Sequence, residues 1–259
     1  MLLRDKSAVI YGAGGSIGGA VARAFAREGA RLHLAGRTLA KVEAVAQEIR
    51  AGGGRAQAAE VDALDEASIE RHVRAVAAEA GAIDVLFNAI GMEDLQGPSL
   101  IEMPFDDFFR PIQKAAKTQF LTARAVGRHM AERGKGVMLT VTAGPPEALP
   151  SLGGFGPACQ MIEGLWRGLA AELGPRGVRV VCLRSAGSPD SRDFQEMVRQ
   201  RTDAGADREE FLATLGRETL LGRLPSVTEI ASVAAMMASD GASAVTGTFI
   251  HVTCGSRAG

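Results

Sequence analysis

Short apolar runs alternate with amphipathic helical stretches along nearly the whole chain, and this alternation restricts the fold more than any single residue does. Ala8-Val9-Ile10-Tyr11 is the first run. A glycine turn follows, then a stretch in which Ile17, Val21, Ala24 and Phe25 share one helical face, Arg23 and Arg27 share the other, and Gly29 is a left-handed stop. The unit repeats as strand 32–35, helix 39–49, strand 56–61, helix 67–79 and strand 83–87. A long helix is predicted over about 106–132, with Pro111 marking a break or a new first turn. Strand 137–141, helix 157–173, strand 178–183 and a last strand near 249–252 complete the series. Pro157 suits a first helical turn, where its missing N–H costs nothing. Strands joined through helices run parallel, so the pattern specifies an α/β fold: one doubly wound parallel sheet with helices on both faces, three layers in all.

Nothing divides the 259 residues into two units, since no Pro/Gly/Ser-rich linker or shift of composition interrupts them. Residues 1–259 therefore read as a single domain. Within it, 185–228 forms an insert with two charged helical stretches, 194–201 and 208–217; such segments act as lids over a pocket or as a solvated helical pair. No helix is assigned between 218 and 248.

A net charge of −1 with interspersed acids and bases offers no field for nucleic acid or an anionic membrane face. No apolar run approaches the roughly 20 residues that span a bilayer. Cys159, Cys182 and Cys254 lie far apart, without metal or disulfide spacing. With no long apolar leader ahead of the first strand, the expectation is a cytoplasmic protein that takes a small-molecule substrate and holds no metal.

The most specific chemistry lies in Gly12-Ala13-Gly14-Gly15-Ser16-Ile17-Gly18-Gly19. A glycine turn between a buried strand and a helix directs free backbone N–H groups and the positive helix end at one point, where a pyrophosphate fits. GxGxxG fails because Ile17 stands where its last glycine belongs, whereas GxxxGxG is met at Gly12 and Gly18 with Ser16 at its middle position. Gly12, Gly15, Ser16, Ile17 and Gly18 are the candidate phosphate contacts.

From this point the chain resembles the short-chain dehydrogenase/reductase family over nearly its full length. Asn88-Ala89-Ile90-Gly91 is similar to the family's NNAG segment, and Val178-Arg179-Val180 to the strand before its Pro-Gly turn, although Ser185-Ala186 replaces that dipeptide. Gly222-Arg223, Glu229-Ile230-Ala231, Ala238-Ser239-Asp240 and Thr246-Gly247 follow in the family's order. The resemblance implies a Rossmann-like fold, a nicotinamide dinucleotide held also by Asn88 and Gly91, and a homodimer or homotetramer. The run Met161, Ile162, Leu165, Trp166, Leu169 suits a partner helix or packing on the sheet.

Where NAD-binding members carry a carboxylate after the second strand, this chain has Gly36-Arg37. A guanidinium there suits a 2′-phosphate, so NADP(H) is the expected cofactor. Asp62 matches the family position that accepts the adenine amino hydrogen bond, while Asp65 is the better helix cap.

The resemblance also implies a Ser-Tyr-Lys site with an Asn from the long middle helix, in which the phenol protonates a carbonyl oxygen. Aligning Glu163-Gly164-Leu165 and Ala170-Ala171-Glu172-Leu173 puts Phe155 at the Tyr position and Cys159 at the Lys position. The Ser position falls at Thr142, or at Ala143, and the Asn position near Ala115, beside Lys114. Thr142, Phe155 and Cys159 thus occupy the catalytic positions with the phenol and ammonium gone, and Tyr11 is the sole tyrosine. Cys159 as a thiol, Lys114 or Lys117 as an ammonium, and Glu93 and Asp94 as cleft residues are the available substitutes. Arg184, after the sixth strand, either binds a substrate carboxylate or pairs with an acid. The readings open at this stage are an NADP(H)-dependent oxidoreductase of a small carbonyl or alcohol with a nonstandard proton donor, a nucleotide-binding sensor or partner subunit without turnover, and a non-redox lyase or isomerase.

Overall fold

The computed structural model describes residues 1–144 and 150–256. Along the chain it places β1 (Ser7–Tyr11), α1 (Ser16–Arg27), β2 (Arg31–Gly36), α2 (Leu39–Ala51), β3 (Arg55–Glu60), α3 (Glu66–Ala80), β4 (Val85–Asn88) and α4 (Phe105–Arg133). There follow β5 (Gly136–Ala143), α5 (Phe155–Leu173), β6 (Val178–Ser185), α6 (Arg192–Asp203), α7 (Arg208–Arg217), α8 (Val227–Ala238) and β7 (Thr248–Val252). The seven strands pair in parallel in the order β3-β2-β1-β4-β5-β6-β7. The order reverses between β1 and β4, which opens a crevice at the C-terminal strand ends.

Both sheet faces are buried, and β1 shows why its sequence is continuously apolar. Ala8 and Ile10 join one core with Val21 and Phe25 of α1 and Ile230 of α8. Val9 and Tyr11 point to the other, with Val73 of α3, Val126 of α4 and Trp166 of α5. On α5, Ile162 and Trp166 are buried against the sheet, while Met161, Leu165 and Leu169 remain half-buried. Among the described residues no helix is long and apolar enough to cross a membrane.

Two sequence expectations need correction. Pro111 does not break the middle helix, which runs unbroken from Phe105 to Arg133. The proline is buried, and Gly154 packs so close to this turn that a Cβ there would lie 2.8 Å from Pro111 Cγ; tertiary packing outweighs the lost backbone bond. The second is α8, in a stretch where the sequence pattern assigns no helix. Its signal lies in Ser226-Val227-Thr228-Glu229, which forms a capping box, Ser226 accepting from the Glu229 N–H and Glu229 from that of Ser226. Gly29 at φ 90° after α1 and Pro157 in the first turn of α5 stand as expected.

A set of polar groups inside the second core is paired. Asn88 donates to Thr122 Oγ1 at 2.7 Å, Gln119 donates to Asn88 Oδ1 at 3.3 Å, and the Trp166 indole donates to Gln119 Oε1 at 3.0 Å. These bonds fasten the end of β4 to α4 and α5. Tyr11 Oη and His72 Nδ1 lie 3.1 Å apart. Burial, aided by the charge of His33, pushes the His72 imidazole down to about 4, and burial also drives the Tyr11 phenol upward. His72 is therefore neutral in the fold at pH 7. An unfolded imidazole titrates near 6.5, so this contribution is complete above that pH and is lost as pH falls toward about 4. Denaturant melts across this window are expected to show a loss of about 3 kcal/mol that His72→Phe lacks.

Candidate nucleotide-binding and active site

A cavity of about 690 Å³ opens over the crevice, within the range of small-ligand sites. Of the expected residues, Gly12, Gly15, Ser16, Ile17, Arg37, Asp62, Gly91, Thr142 and Phe155 line it. Gly18, Asn88 and Cys159 stand behind its wall, shaping it through packing.

The glycine turn is built for close approach. Gly12 has φ 77°, and a Cβ there would strike Ala89 O, while a Cβ on Gly18 would strike Gly12 O. Gly15 caps α1 without a side-chain hydrogen bond, and the first turn carries no acid. The first helical bond runs from Gly19 N to Gly15 O at 2.9 Å, so the N–H groups of Ser16, Ile17 and Gly18 precede the ladder, an arrangement suited to an anion.

At the rim beyond the end of β2, Arg37 donates to Glu93 Oε1 at 2.6 Å, and Lys114 Nζ lies 2.5 Å from the same oxygen. Lys114, Arg37 and the lesser Coulomb effects of both cations hold the Glu93 carboxyl below its usual range, with burial opposing. Asp62 accepts from Leu64 N at 2.9 Å and closes its own turn, whereas Asp65 caps α3 by accepting from Ala67 N. Lys117 is exposed on α4, away from the cavity.

At the other end, Phe155 opens α5 and lines the wall, and Cys159 follows one turn later at 2% exposure. Burial pushes the Cys159 thiol up to about 12, so it stays protonated and packs as a small apolar group. Thr142 donates to Glu163 Oε1 at 2.9 Å, which commits its proton away from any ligand. Arg184 does not reach the cavity: it grips both Glu163 oxygens, at 2.9 and 2.5 Å, and stacks over Phe249. Of the two readings for Arg184, the ion pair is the one realised.

A family model described as enoyl-(acyl carrier protein) reductase matches residues 12–257. The chain is 31% identical over 245 residues to the uncharacterized oxidoreductase YxbG of Bacillus subtilis (strain 168), covering 95% of this chain and 88% of that one. The chain belongs to the short-chain dehydrogenase/reductase family. It is also 30% identical to a D-threitol dehydrogenase of Mycolicibacterium smegmatis, covering 95% of this chain and 90% of that one. A solved structure from Beutenbergia cavernae, provisionally assigned as an NAD(P)-dependent gluconate 5-dehydrogenase and holding NADP at low occupancy, superposes with a TM-score of 0.85 at 28% identity, covering 99% of this chain and 98% of that one.

Within this short-chain dehydrogenase/reductase, two site features escape sequence reasoning. Arg192, the first residue of α6, donates from its guanidinium to Gly14 O at 2.6 Å and from its backbone to Ser16 Oγ at 3.0 Å, so the insert rests directly on the glycine turn. Phe194, Met197 and Leu215 of the insert roof the cavity and pack into a small apolar cluster of their own. The second is Glu163, whose buried carboxylate organises Thr142 and Arg184. Tyr11, the sole tyrosine, keeps its hydroxyl engaged with His72 at 3.1 Å inside the second core.

Proposed function

We propose that the protein is an NADP(H)-dependent oxidoreductase of a small alcohol or carbonyl, operating without the tyrosine–lysine pair its family uses. One observation carries the reading: a single cavity joins the glycine turn and Arg37 to Thr142 and Phe155. The residues fit a dinucleotide, because a Cβ at Gly12 or Gly18 would collide with backbone carbonyls, so glycine alone lets the turn close tightly over the cavity, and the uncapped start of α1 meets it without an acid. Nicotinamide, when bound, supplies hydride chemistry. The N–H groups of α1 hold the pyrophosphate, Arg37 takes the 2′-phosphate, and Asp62 accepts from the adenine amino group. Thr142, its own proton held by Glu163, accepts a hydrogen bond from a substrate hydroxyl; Phe155 beside it has no proton to give, so the proton that accompanies the hydride is exchanged with water in the cavity. The α6–α7 insert serves as a lid, latched on the glycine turn by Arg192. The oxidoreductase relatives support the redox reading, and the NADP held by the Beutenbergia cavernae structure supports the choice of cofactor.

Arg37→Ala is expected to weaken NADPH binding by roughly 10- to 100-fold, the value of a charge-assisted hydrogen bond, and to change NADH binding far less. Fluorescence titration of both cofactors checks this, and an equal loss for the two would reject Arg37 as the phosphate ligand. Phe155 favours one alternative, a nucleotide-binding protein without turnover; tight NADPH binding with no oxidation across a panel of small ketones and aldehydes would select it.

A further inference from the structure

We infer that Glu93 sets the nucleotide preference, supplying from the loop after β4 the carboxylate that the end of β2 lacks. The inference rests on the dinucleotide-binding reading of the cavity. In the sheet β1 lies between β2 and β4, so Arg37 and Glu93, 56 residues apart, meet over the end of β1 and across the crevice. Lys114 approaches the same oxygen from α4. All three line the cavity. Glu93 Oε1 takes both cations, while Oε2 makes no hydrogen bond to the described residues.

The two cofactors differ at one ribose oxygen, and this cluster answers each differently. A 2′-hydroxyl is a donor, and Glu93 Oε2 accepts it while Oε1 keeps Arg37. A 2′-phosphate is an anion that Glu93 repels, and it must share with that carboxylate the Arg37 guanidinium, which holds Glu93 through one nitrogen. The Arg37 and Glu93 side chains are 57% and 54% exposed, and an ion pair that open to water exchanges partners at little cost. Glu93 therefore narrows the discrimination that Arg37 alone would impose, and the protein accepts NAD(H) beside the NADP(H) it uses. The position is specific to the loop: Glu93 has φ 61°, a left-handed conformation that a side-chain-bearing residue rarely adopts.

The test is direct binding of NADPH and NADH, by fluorescence titration, to the wild type, Glu93→Gln and Glu93→Gly. Glycine accepts the left-handed backbone, so it removes the carboxylate without straining the loop. The wild type is expected to hold the two cofactors within roughly tenfold of each other, and both variants to shift the ratio toward NADPH by at least roughly tenfold, NADPH tightening and NADH weakening. In an Arg37→Ala background the NADPH gain should shrink to the relief of Glu93's own repulsion while the NADH loss persists, because only part of the first effect acts through Arg37 and none of the second does. An unchanged ratio in both folded variants, or an equal loss for both cofactors, overturns the role of Glu93. A wild type that binds neither dinucleotide overturns the cavity reading beneath it, and that result is distinguishable from the other two.

Discussion

Alanine at Gly18 is expected to lower NADPH affinity at least roughly 100-fold and to destabilise the fold by about 1–3 kcal/mol, the range for overpacking a tight site. Two effects oppose each other. Alanine favours a helix interior over glycine by about 1 kcal/mol, and Gly18 lies in the first turn of α1. Against this, its Cβ would run into the carbonyl oxygen of Gly12, which belongs to the backbone and cannot rotate away. The turn must open, and the N–H groups of Ser16 and Ile17 then lose their common direction. The collision outweighs the propensity. Gly164 on α5 is the control: a Cβ added there would meet nothing within 4 Å, so Gly164→Ala should stabilise by about 0.5–1 kcal/mol through propensity alone. Urea melts and NADPH titration of the two variants separate the cases; opposite signs in stability are the expected result, and a tightly binding, stable Gly18→Ala would remove the glycine turn as the phosphate cradle.

The elements were legible where burial on both faces made a strand continuously apolar, as in β1, and at helix starts such as Asp65, although the capping box that opens α8 went unread. Strand ends were less so. The pattern stops β5 at 141 and β6 at 183, but the ladders continue through Thr142–Ala143 and Arg184–Ser185, whose side chains are polar or small where the sheet meets the cavity or the Glu163 pair. Helix α4 kept its proline because packing around Gly154 holds the turn, a tertiary effect that no local propensity contains. The glycine turn was readable because its function is local. The Arg37–Glu93–Lys114 cluster, the Thr142–Glu163–Arg184 cluster and the Arg192 contact with Gly14, 178 residues away, were not, since each depends on strand order that brings distant loops together.

Restoring the pair by Phe155→Tyr with Cys159→Lys is expected to raise carbonyl reduction by roughly 10²-fold or more, the lower end of what a positioned general acid contributes. The phenol enters at a residue that already lines the cavity and opens α5, so its hydroxyl projects into the ligand space. Alone it has an ordinary pKa near 10 and nothing to lower it, and Phe155→Tyr by itself should gain about tenfold at most. The lysine is the harder half. Cys159 is nearly fully buried, and an ammonium there must find a counter-charge or lose its proton. Glu163 lies one turn along the same helix, but its oxygens are already taken by Arg184 and Thr142. A third substitution, Arg184→Met, frees that carboxylate for the new lysine, and the triple variant is expected to exceed the double in rate while melting no lower. NADPH oxidation against small ketones, followed with NADPH binding as a control, reads the series. Rising turnover at constant affinity would show that the scaffold holds its cofactor correctly and lacks only the proton donor; constant turnover with binding intact would place the deficit elsewhere, at Thr142 or Ala115, and not at residue 155.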